Sequence, residues 1–80
     1  MNKSERLHKL LIDSTDDKEK VDLCNSLADV ERNSNTDKAF KLHSEALNLA
    51  QTIDYPEGKA KAYWGLGICK RLLSQYKEAI

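Results

Sequence analysis

A chain of 80 residues has room for one small domain, and at that size only about 60–65% of the unfolded surface is buried. Its 13 basic and 13 acidic side chains cancel and are interspersed, so no basic stripe exists for nucleic acid, and no run approaches the ~20 apolar residues of a membrane span. Cys24 and Cys69 stand in no CxxC spacing, which leaves no disulfide framework and predicts two reduced thiols in a helical core.

One proline and three glycines leave little scope for β-turns, and the apolar spacing is helical from end to end. Ser4 is a candidate cap for a first helix carrying Leu7, Leu10 and Leu11, which ends near Asp13-Ser14-Thr15. The segment Leu7–Ile12 is too short and too charged for the apolar region of a signal peptide, so the chain reads as cytoplasmic. Asp16-x-x-Glu19 then has the form of a helix N-terminus. Val21, Cys24 and Ala28 make one stripe of the second helix, and Leu23, Leu27 and Val30 lie beside it. So wide an apolar arc predicts burial on two sides. Asn33-Ser34-Asn35 ends that helix and Thr36 is the expected N-cap of the third, where Ala39, Leu42, Ala46, Leu49, Ala50 and Ile53 recur at three- and four-residue steps. Asp54-Tyr55-Pro56-Glu57 is the sharpest boundary, with Pro56 suited to a first helical position. The fourth helix is expected to end at Leu73, with Ala60, Tyr63 and Gly67 on one side and Ala62, Leu66, Cys69 and Leu73 beside them. Gly67 is read as the point where a second backbone comes close, because a helical glycine costs about 1 kcal/mol relative to alanine. A fifth run opens at Gln75. The predicted helices are thus an antiparallel pair, roughly 14–33 and 36–53, and a third long helix at 56–73.

Two stretches repeat one another: Leu27-Ala28 … Lys38-Ala39, and Leu66-Gly67 … Glu78-Ala79. Leu27 and Leu66 stand 39 residues apart, Ala39 and Ala79 stand 40 apart, and self-similarity at such a period marks a solenoid. The wording Tyr63-Trp64-Gly65-Leu66-Gly67 … Tyr76-Lys77-Glu78-Ala79-Ile80 resembles the tetratricopeptide repeat. The stretch from Leu23 to Ala28, followed by Asp37-Lys38-Ala39-Phe40 and Glu45-Ala46-Leu47, is similar but looser. There Cys24 takes the place of the aromatic, Ala28 that of the glycine and His43 that of a second aromatic, and the turn is one residue shorter. Lys70 and Ser74 also depart from the pattern, and the closing proline is missing after Ala46. This longer unit is similar to the arrays found in the N-terminal regions of bacterial signalling proteins such as sensor histidine kinases and nucleotide cyclases.

The resemblance covers roughly residues 17–80 and implies an all-α, right-handed helical solenoid with one repeat at 16–54 and an incomplete one at 55–80, preceded by the N-terminal helix at 1–13 that the apolar spacing predicts. It also implies a non-catalytic module that binds a protein or peptide partner in a groove lined by the first helix of each repeat. Carried over on Leu27 and Leu66, the groove residues are Asp22, Asn25, Asp29 and Arg32, then Lys61, Trp64, Ile68 and Arg71. Trp64, Ile68 and Arg71 also share a helix face by spacing, and tryptophan with arginine is the pairing enriched at binding hot spots. The plainer reading packs Trp64 against the preceding helix. Asn25 and Lys61 match part of the family's paired lysine–asparagine carboxylate clamp.

No nucleophile has a histidine at a motif spacing, and neither HExxH nor a glycine-rich phosphate loop occurs. Cys24, Cys69, His8 and His43 lack the close pairs of a zinc site, so no cofactor or metal is expected. Both histidines are read as surface or half-buried. Leu66, Leu72, Leu73, Tyr76 and Ile80 are expected to leave an apolar patch that favours self-association, and this is the rival reading: a dimerisation element of a longer protein.

Overall fold

Why each helix starts and stops where it does is clearest at the caps. The computed structural model describes residues 3–13 and 16–78, leaving aside the side chains of Ser4 and of 76–78. It contains α1 (Lys3–Asp13), α2 (Asp17–Glu31), α3 (Thr36–Thr52) and α4 (Pro56–Glu78), with no strand among the described residues. Asp16 caps α2, its carboxylate accepting from the backbone N–H of Lys18 at 2.9 Å and of Glu19 at 3.5 Å. At α3 the cap is Asn35, whose side-chain oxygen accepts from the N–H of Lys38. Thr36, the expected cap, is the first helical residue instead and donates its hydroxyl to the Arg32 carbonyl at 2.8 Å, tying the end of α2 to the start of α3. Likewise α1 begins at Lys3, so Ser4 lies inside its first turn rather than capping it.

The end of α3 is a Schellman motif. Asp54 takes a left-handed φ of 56°. Tyr55 N–H donates to the Ala50 carbonyl at 2.8 Å and Asp54 N–H to that of Gln51 at 3.4 Å, which satisfies carbonyls that a helix end leaves open. Pro56 then opens α4 as expected. That helix does not stop at Leu73. It runs unbroken to Glu78, because Ser74 sits where a turn glycine was needed and nothing in the local sequence forbids helix.

The helices stack in chain order, each against the next, and α2 also meets α4. Leu11 packs beside Val21, Cys24, Ala46, Ala50 and Ala62, while Leu7 packs beside Leu27, Ala28, Ala39, Leu42 and Cys69. Those pairings run α1 against α2, α2 against α3, and α3 against α4 in opposite directions. Among the described residues five of the ten that form the core are alanine, and such short side chains let helix axes come close. Leu27, wholly buried, contributes about 1.5–3 kcal/mol by leaving water. Both cysteines are free and buried, as read from the sequence.

Gly67 is not a packing contact. A β-carbon there would meet nothing within 4 Å, and Tyr63, on the same stripe, is 53% exposed. The buried stripe of α4 is Gly58, Ala62, Gly65 and Cys69. A methyl at Gly58 would overlap Val21 and the Tyr55 ring, and one at Gly65 would overlap the imidazole of His43. Leu66, Leu72 and Leu73 are half-buried. Tyr76 and Ile80, the rest of the expected apolar patch, fall outside the described side chains. No described helix is long and apolar enough to cross a membrane.

Candidate functional site: the α2–α4 seam

Four contacts run along the line where α2 meets α4 and the residue that precedes it. At its start the Tyr55 hydroxyl donates to Asp22 at 3.0 Å, and Lys18 lies 5.5 Å over the Tyr55 ring. In the middle Asn25 donates its amide to the Gly58 carbonyl at 3.3 Å. Near the far end the Arg32 guanidinium lies 5.4 Å from the centroid of the Trp64 ring, within reach of a cation–π attraction. The two hydrogen-bonded pairs are both 33 residues apart and the contacts advance together along both helices, so α2 and α4 lie parallel.

Behind the seam sits a buried polar group. His43, 1% exposed, shares a 2.8 Å hydrogen bond between its Nδ1 and Asn25 Oδ1. Asn25 spends its amide N–H on Gly58, so its oxygen accepts and Nδ1 carries the proton. Nε2 is then a bare acceptor, and it is buried with no hydrogen-bond partner, as is Nε of Arg32. Asp29 stands between them, ion-paired to Arg32 and 3.7 Å from His43 Nε2. Burial lowers the pKa of His43; Asp29 opposes that shift and Arg32 adds to it. Burial raises Cys24 to about 11, with the Glu45 carboxylate adding to it. Burial also raises Cys69, so both thiols stay protonated at neutral pH and are poor nucleophiles.

The eight residues carried over from the repeat pattern thus part company. Asn25, Asp29, Arg32 and Trp64 come together, with Trp64 65% exposed at the surface. The reading of Trp64 as core is therefore overturned. Asn25 is itself buried, so it supports the seam from beneath and offers nothing to a clamp with Lys61. Asp22 is exposed and bonded to Tyr55. Lys61 and Arg71 are exposed and Ile68 half-buried on the Trp64 side of α4; among the described residues neither cation forms an ion pair.

His43 departs from the sequence-based expectation, being neither surface nor half-buried. Its signal is present in the chain: Ala39, His43, Ala46 and Ala50 follow steps of four, three and four, the stripe of a buried face. The sequence marks Tyr55 only as part of a boundary, and Gly58 carries no local signal of its role. Among the described residues no group of three metal-ligating side chains forms. Away from the seam, Glu5, His8, Lys9, Ile12 and Lys38 line a shallow hollow of about 380 Å³ between α1 and α3. Comparison with family models, with curated proteins and with solved structures gives no match for this chain.

Proposed function

We propose that this chain is a non-catalytic protein–protein interaction module, a tetratricopeptide-like input region of a larger bacterial signalling protein that works in the cytoplasm. Its partner-binding face is the α2–α4 seam around Trp64. One observation carries the reading: a tryptophan left 65% exposed beside an arginine, flanked by Lys61, Ile68 and Arg71. A large indole at the surface gains little for folding, and tryptophan and arginine dominate binding energy where they are buried by a partner. The parallel placement of α2 and α4, with α3 antiparallel to both, supports a repeat stack.

The test is selection of peptides from a displayed random library on the folded protein. Sequences with a shared motif should be enriched, lost with Trp64→Ala, and retained with Lys41→Ala, a change at an exposed α3 position. No shared motif, or equal retention by both variants, overturns the assignment.

A second reading rests on the other flank of α4, where Tyr63 is exposed and Leu66 and Leu73 are half-buried. An apolar strip of that kind suits self-association. Sedimentation equilibrium at micromolar concentration decides it, with Leu66→Lys expected to shift any dimer to monomer.

A further inference from the structure

His43 and Arg32 each bury a nitrogen without a hydrogen-bond partner, and the same Asp29 carboxylate lies between them. We propose that this arrangement is a proton-operated latch: when His43 takes a proton at Nε2, Asp29 leaves Arg32 for the imidazolium and the guanidinium swings off Trp64. The proposal takes the α2–α4 seam as the partner-binding face and concerns its regulation.

The ring cannot answer a proton by turning. Its Nδ1 is held by Asn25 at 2.8 Å, and Gly65 lies so close that no β-carbon fits between. Protonation places a charge where His43 is 1% exposed, and an unpaired buried charge is very costly. The carboxylate that can meet it is at 3.7 Å and needs to move only about 1 Å to reach charge-assisted hydrogen-bond distance. Asp29 is free to do so, because its side chain is 54% exposed.

The pair it abandons is the weaker one. Asp29 is the half-exposed member of either pair, so its partner decides: the Arg32 side chain is 17% exposed and can turn to water, whereas the imidazolium at 1% cannot and interacts through a lower effective dielectric. Arg32 then faces a like charge in place of a neutral ring. From α2 the charged groups facing His43 are Asp29 and Arg32. From α4 the ring meets uncharged Gly65, and the Cys69 thiol nearby stays protonated. With Arg32 repelled and its counter-ion withdrawn, the guanidinium is better placed in water. Acid therefore exposes a second face of Trp64 and adds a free cation to the seam.

The experiment is an NMR titration of the whole chain from pH 7.5 to 4.5, reading the His43 Cε1–H and the Nε1–H of Trp64, the only tryptophan. A His8→Gln background removes the other histidine. The indole signal should shift with the same midpoint as His43 while circular dichroism holds its helical signal. Asp29→Asn should lower the His43 midpoint by about 1 pH unit and give, at neutral pH, an indole signal resembling that of the acid form. A Trp64 signal that stays still through the His43 titration overturns the latch. So does an unchanged midpoint in Asp29→Asn, or protonation seen only with loss of helix. The titration needs no partner, so its failure is distinguishable from failure of the peptide selection.

Discussion

Gly65 lies against the imidazole of His43 so closely that any β-carbon would overlap the ring. The contact joins a glycine that costs helix stability to a histidine that costs desolvation, each tolerable because the other is there. Gly67, two residues on, faces open space.

The two glycines should therefore respond oppositely to alanine. Gly65→Ala overpacks a pinned ring and is expected to destabilise by about 1–3 kcal/mol. Gly67→Ala meets no atom and gains helix propensity, so it should stabilise by roughly 1 kcal/mol. Urea unfolding of both variants checks this, and destabilisation by Gly67→Ala would return that residue to the packed face.

Boundaries near Asp16 and Pro56, and the apolar stripes of α2 and α3, were legible because they rest on local rules of period and capping; the break expected between Leu73 and Gln75 was not there, and the fifth run is the end of α4. The side of α4 that packs was not. Tyr63 and Trp64 look like core residues, yet Gly58, Ala62, Gly65 and Cys69 are buried instead, since α4 must clear both α2 and the His43 ring. Sequence alone weighs an aromatic as buried area and cannot see that space. Five of the eight expected groove residues do lie along the seam, Asp22 at its start and Asn25, Asp29, Arg32 and Trp64 beyond it. Asn25 gathers as a buried support, a role that depends on His43 and Gly58, far away in the chain.

Asp54 offers a cleaner prediction. It holds φ at 56°, where a β-carbon is penalised by about 1–2 kcal/mol and Asp or Asn escapes part of that cost. Its side chain is exposed. Asp54→Gly should leave the Schellman hydrogen bonds in place and raise the melting temperature, with a gain of no more than the left-handed penalty of about 1–2 kcal/mol. A loss of stability would mean that the carboxylate itself contributes at the start of α4.

Stability should depend on pH through His43. Its folded pKa lies below the ordinary value because burial disfavours the charged ring. Between the folded pKa and about 6.5, the unfolded chain binds more protons than the folded one, so stability falls as pH falls. The contribution is complete above the unfolded pKa and levels off below the folded one. His43→Gln should flatten that part of the profile when unfolding is followed between pH 7.5 and 5. An equal slope in wild type and variant would show that His43 titrates alike in both states.

Trp64 gives the most direct check on the face itself. A core tryptophan cut to alanine costs about 3–5 kcal/mol. Trp64 is 65% exposed, and among the described residues its one marked attachment is the Arg32 guanidinium 5.4 Å from the ring centroid. An exposed contact of that kind is worth about 0.5–1 kcal/mol. Trp64→Ala should therefore lower stability by no more than roughly 1 kcal/mol while abolishing peptide capture. The wild-type fluorescence should be red-shifted, as for an indole in contact with water, and readily quenched by acrylamide. Iodide should quench more efficiently than caesium, because Arg32, Lys61 and Arg71 attract the anion towards the ring. A blue-shifted emission protected from all three quenchers, together with a loss of several kcal/mol in Trp64→Ala, would place the indole in the core and remove the anchor on which the binding face depends.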